Sequence, residues 1–225
     1  MPIMKPLGAL GQINLKLKLI TPPRQIEKNI LASAVRYLNS RLSGLPSKIS
    51  KHAKPLLRNA LEQSPAAISL ISGKLREEMG VVDASKELDQ IFRAISQTVN
   101  VTISRARRRG SGVRMTIRLT AVPFDFDTVV GDNGSYTTEK GAIIPWFKWL
   151  TAAGDRIIVR DYDVEGGHPM FSRTGDMIMI KAGKRGWRVP PEFAGTPTVN
   201  FVTKATDSIL PDLGHYIQST ARKML

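Results

Sequence analysis

The hydrophobic period of this chain changes near residue 98, and that change limits what it folds into. Before it, apolar residues recur every three or four positions: Ile26, Ile30, Leu31, Val35, Leu38 and Leu42, then Ile49, Ala53, Leu56, Leu57 and Leu61. A third set is Ile68, Ile71, Leu75 and Met79, and a fourth is Leu88, Ile91, Phe92 and Ile95. Such spacing lines one face of a helix. After residue 98 the period is two. Val99, Val101 and Ile103 alternate with polar residues, and so do Val113, Met115, Ile117 and Leu119. Helices first and strands second predict an α+β fold rather than alternating βαβ units.

Punctuation places the boundaries. Thr21 with Pro22 and Pro23 is expected to open the first helix, and Gly44 to end it. Pro55 is expected to kink the second. Ser64 and Pro65 start the third, which Gly80 stops, and Asp83 caps the fourth. An earlier strand is expected at Ile13, Leu15, Leu17 and Leu19, where apolar and polar residues alternate. The later segments predict a short helix at IPWFKWLTAAG, strands at RIIVRDYDV and MIMI, and a loop at GKRGWRVPPEFAGTPT. A closing helix from about Asn200 to Lys223 carries Phe201, Ala205, Ile209, Leu213 and Ile217, with Pro211 as a possible kink. The expectation is one domain over 1–225: helical to residue 98, a mostly antiparallel sheet with a protruding hairpin over 99–199, and the closing helix over 200–225.

The hairpin carries the most conspicuous charge. RARRRGSG places Arg105, Arg107, Arg108 and Arg109 at the end of one alternating run, followed by Gly110 and Gly112. Arg114 and Arg118 fall on the polar side of the next run. The prediction is a basic finger rather than a helix that enters a groove. Net charge is +14, with 21 of the 33 Lys and Arg but 7 of the 19 Asp and Glu in residues 1–120. The remainder, with 12 of each, is neutral. A basic half beside a neutral half suits a protein with one face toward an anionic partner.

Chemistry is sparse. There is no cysteine, hence no disulfide and no thiolate metal site, in keeping with assembly in a reducing cytoplasm. No apolar run reaches the roughly 20 residues that span a bilayer, and Lys16 and Lys18 interrupt the N-terminal apolar stretch, so neither a membrane span nor a signal peptide is expected. Phosphate-binding glycine loops and nucleophile elbows are missing. His52, His168 and His215 lack ligand spacing. Asp161, Asp163, Glu165 and Gly166 imitate the start of a calcium loop, but its twelfth position is Ser172, and a strand's solvent face explains the acids better. Asp125, Asp127 and Asp132 cluster without metal spacing. Trp146, Phe147 and Trp149 are expected in the core. No cofactor and no catalytic residue is expected.

Several stretches in order resemble the tail-completion and neck proteins of tailed bacteriophages. SPAAISLISGKLREEMG supplies a hydroxyl-Gly-x-Leu-Arg element through Ser72, Gly73, Leu75 and Arg76. Tyr136, Glu139 and Gly141 match a Y…E-x-G element before a short helix. Trp187, Pro190, Pro191, Phe193, Gly195, Asn200 and Phe201 match a proline-rich approach to the closing helix. A long insert between Gly141 and Gly186 departs from the compact form of that family. The resemblance implies a virion structural protein without catalytic residues, in a hexameric or dodecameric ring at the head–tail interface. It places Gly73 where helices meet sheet. Implied partners are copies of the chain, connector or portal-adaptor proteins, tail tube or sheath proteins, and genomic double-stranded DNA passing through. Two other classes remain: a sequence-independent nucleic-acid-binding protein, and an enzyme using the acidic loops. The arginine finger is expected to meet either DNA or an acidic neighbour. The neighbour is preferred because an arginine clamp would slow DNA passage.

Overall fold

Apolar faces with four-residue spacing organise the helical half. The computed structural model describes residues 22–120, 130–139 and 141–224. The proposed strand at 13–19, the Thr21 cap, and Asp125 and Asp127 lie outside them. Helix α1 (Pro23–Arg41) is followed by α2 (Leu45–Glu62), α3 (Pro65–Ser72), α4 (Lys74–Met79) and α5 (Ala84–Gln97). α2 buries Leu45, Ile49, Ala53, Leu57 and Leu61, one residue per turn, and continues through Pro55. α5 buries Leu88, Ile91, Phe92 and Ile95 against it. Gly44 does not end α1, which stops at Arg41; it is the N-cap of α2. Asp83 is the N-cap of α5, but its side chain makes no capping bond.

The third stripe is corrected by the structure. Ile68 and Ile71 are exposed, and α3 buries Ala66, Ala67, Ser69 and Leu70 instead. The cause is Gly73. It breaks the predicted long helix into α3 and α4, so Ile68 and Ile71 share no axis with Leu75 and Met79. The turn is tight: a Cβ on Gly73 would sit 2.9 Å from Ser69 Cα and 3.0 Å from Ser69 Oγ. Gly73→Val is therefore expected to cost about 1–3 kcal/mol through forced displacement of α3, read as a lower denaturation midpoint with unchanged slope. An unchanged midpoint would refute the close approach.

The second half is α+β, as expected, with a correction to its sheet. Among the described residues there are four separate two-stranded antiparallel ladders rather than one sheet. β1 (Asn100–Ile103) pairs with β4 (Ile117–Thr120), and β2 (Arg107–Arg109) with β3 (Gly112–Arg114). β5 (Tyr136–Thr137) pairs with β6 (Ile143–Ile144), just before α6 (Trp146–Ala152). β7 (Val159–Glu165) pairs with β8 (Ile178–Trp187), so β8 runs on through residues expected to be loop. Opposite a register break at Asp161, which has φ 62°, β8 carries the extra residues 182–185, where Gly183 has φ 70°. That bulge imitates a loop signal in the sequence.

The closing helix is two helices, α7 (Phe201–Ser208) and α8 (Leu210–Met224), with Pro211 in the first turn of the second. Phe201, Ala205, Ile209 and Leu213 are buried as predicted. One buried cluster runs from Leu42 to Leu213 and draws on both halves of the chain. At its centre Phe201 meets Phe92 and Phe147 edge-on, at centroid distances of 6.4 and 5.8 Å.

Candidate partner interface

The arginine run folds into a ribbon, as the alternating runs on either side of it predicted. Arg109 pairs with Gly112 across Gly110 and Ser111, and Gly110 has φ 61°. A positive φ at the first of two turn residues is the II′ pattern, whose twist matches antiparallel strands. Arg107 stands opposite Arg114, and Arg108 opposite Val113. Arg118 lies further down, on β4 opposite Thr102. Arg105, Arg107, Arg108, Arg109, Arg114 and Arg118 are all exposed. Among the described residues none of them forms an ion pair; Arg108 Nε donates to Gly110 O at 3.1 Å. Between the β1–β4 and β2–β3 ladders, Ser104 N donates to Thr116 O and Thr116 N to Ser104 Oγ, each at 2.8 Å. The two ladders thus form one long hairpin.

Its base is fastened to α1. Ala106 N donates to Asn39 Oδ1 at 2.7 Å, and Asn39 Nδ2 donates to Ala106 O at 3.3 Å. The side-chain amide thus satisfies both backbone groups of Ala106, as a neighbouring strand would. Ala106 is buried under this clasp. Apart from this clasp, α1 packs half-buried Leu38 against the core; it contains no buried residue, and Ile30 is 62% exposed.

Of the residues carried by the resemblance, Leu75, Arg76 and Trp187 lie around α4 and β8, and the others lie apart from them. Leu75 is buried, and Arg76 pairs with Glu77 at 3.2 Å. Glu77 accepts from Thr174 Oγ1, and Glu78 accepts from Trp187 Nε1 at 3.0 Å. Trp187 is buried and packs beside Trp149, with centroids 5.7 Å apart. Ser72 is exposed; the working hydroxyl is Ser69, whose Oγ accepts from Leu75 N at 3.1 Å. The Gly73 junction joins two helices rather than helix to sheet, and α4 reaches β8 through Glu78. Glu139 is exposed and Gly141, with φ 78°, lies in the β5–β6 turn. Pro190 is buried, its carbonyl accepting from Phe193 N and Ala194 N, while Pro191 is exposed.

Three acids expected on a strand, Asp161, Asp163 and Glu165, do lie on β7. His52 stacks on Tyr216 with ring centroids 3.7 Å apart, fixing α8 to α2. Trp146 is fully buried, and its Nε1 donates to Glu87 Oε2 at 3.0 Å. Burial pushes the Glu87 carboxyl above the usual range; the indole bond opposes this and Asp83 adds to it. Burial also raises the Tyr136 hydroxyl, against the nearby Arg173 guanidinium, which lies 4.3 Å above its ring.

Sequence reasoning missed Asn39, Ser69, Glu77 and Glu78. Ser69 had a local sign, a hydroxyl one turn before a glycine. Asn39 had none, because its partner lies 67 residues away. No described helix is long and apolar enough to cross a membrane. Comparison with protein families, curated proteins and solved structures gives no match to this chain.

Proposed function

We propose that the chain is a subunit of a ring at the head–tail junction of a tailed bacteriophage, between the portal complex and the tail, around the path of the genome. The observation that carries this reading is helix α1. A helix of 19 residues with an apolar stripe and no buried residue leaves a lateral face uncovered among the described residues. Ile30 and Tyr37 are exposed on that helix, and Ile26, Leu31, Val35 and Leu38 are half-buried. Such a face suits a neighbour, and a head-to-tail contact repeated about an axis closes a ring. The order of the motif segments and the confinement of excess charge to residues 1–120 support the same reading.

The test is the mass of the purified protein in solution. Light scattering after size exclusion is expected to give six or twelve copies, and negative-stain images closed rings. Ile30→Glu is expected to give a folded monomer with unchanged circular dichroism, because the residue supports no internal packing. A wild-type protein that stays monomeric at high concentration, or an Ile30→Glu protein that still forms rings, defeats the proposal.

A further inference from the structure

The β2–β3 ribbon holds charge in an arrangement that folding alone does not favour. Arg107 and Arg114 stand directly opposite each other on one face, and like charges so placed destabilise a strand pair. Arg109, two residues from Arg107, adds a third guanidinium to that face. Arg108 occupies the other. No carboxylate among the described residues relieves them. Beside the ribbon, α1 contributes exposed Arg36 and Arg41 and contains one acid, Glu27.

The kind of anion follows from what the ribbon lacks. Protein interfaces draw their strength from apolar and aromatic anchors buried at the centre. Between Arg105 and Arg114 the only apolar side chains are Ala106, buried under Asn39, and Val113, half-buried. A surface of arginine without an exposed apolar anchor matches nucleic-acid interfaces, which are far more positive and polar. A two-stranded ribbon also fits the major groove of duplex DNA, and arginines on both faces meet the backbones on either side of it. We infer that the Arg105–Arg114 ribbon, held by the Asn39 clasp, is a sequence-independent binding surface for the phosphate backbone of double-stranded DNA. Guanidinium forks on phosphates set position without reading bases. Such contacts are weak at physiological salt and let DNA slide, which removes the ground on which the sequence favoured an acidic neighbour over DNA. The inference holds for a ring subunit and for a lone monomer alike.

The test uses the full chain and labelled 20-base-pair duplexes of unrelated sequence, followed by fluorescence anisotropy between 50 and 200 mM salt. Wild-type protein is expected to bind all duplexes alike, with log affinity falling against log salt at a slope of about −4, near 0.9 per phosphate. Arg107→Gln/Arg109→Gln/Arg114→Gln is expected to bind at least tenfold more weakly at 100 mM salt, with a slope shallower by roughly 2.7. Asn39→Ala, which keeps every charge, is expected to lose affinity about threefold while retaining the slope. Lys48→Gln/Lys51→Gln, on the exposed side of α2 and away from the ribbon, is expected to keep the slope and most of the affinity. Circular dichroism confirms that each variant is folded. The inference is overturned if wild type fails to bind at 50 mM salt, if the triple variant binds like wild type, or if the α2 variant loses as much. Tighter binding to an acidic polypeptide such as polyglutamate, lost in the same triple variant, would assign the ribbon to an acidic protein and overturn it too. Ring formation is measured separately, so failure here leaves the assembly proposal standing.

Discussion

Replacing Trp146 with alanine is expected to destabilise the protein by about 3–5 kcal/mol, the loss seen when a fully buried aromatic side chain is truncated. The indole is fully buried, packs edge-on to Phe147 at 5.8 Å and donates to Glu87. For a chain of this size the melting temperature should fall by roughly 6–20 °C. Trp149, only half-buried, should cost less when truncated. A Trp146→Ala protein of native stability would show that the cluster is not the core. The carboxylate beneath adds a pH signature. Burial raises the Glu87 carboxyl, so the folded state holds its proton more tightly than the unfolded state. That contribution is complete at pH below the ordinary glutamate value of about 4.3 and is lost as pH rises through the raised folded value. Glu87→Gln keeps an acceptor for the indole and should flatten stability against pH in that window.

The second large effect is expected at Asn200. It is 1% exposed and serves four partners with one side chain. Its Oδ1 accepts from Val202 N and Thr203 N, both at 3.0 Å, which caps α7. Its Nδ2 donates to Thr196 O at 2.9 Å and to Thr151 O at 3.3 Å, tying α7 to α6. Alanine removes the cap, worth roughly 0.5–2 kcal/mol. It also strands the carbonyl of buried Thr151, worth roughly 1–3 kcal/mol more, whereas Thr196 O keeps its bond from Val199 N. Asn200→Ala should therefore cost about 3 kcal/mol in equilibrium unfolding, and Asn200→Asp should not rescue it, since a carboxylate cannot donate to those carbonyls. Full rescue by aspartate would mean that the cap alone matters.

What the sequence disclosed depended on whether the deciding partner was near in the chain. The faces of α2 and α5 were legible because four-residue spacing is itself the helical constraint. The arginine hairpin was legible because alternation and Gly110 are both local. The α3 face was misplaced because Gly73 resets the helical phase, and a glycine between good helix formers does not announce a break. The length of β8 was hidden by glycines that serve a bulge rather than a loop. In the candidate interface, the arginines were found and their fastening was not. The Asn39 clasp spans 67 residues and has no periodicity to betray it.

The Phe92–Phe147–Phe201 cluster has a consequence during synthesis. Its last ring belongs to α7, about a hundred residues after α5. At translation rates of about 5–20 residues per second, that interval is about 5–20 s. Throughout it, Phe92 on the emerged α5 lacks the aromatic cover it finally receives from Phe201. The nascent chain therefore spends seconds with that apolar surface open, the state in which unfinished chains are prone to aggregate.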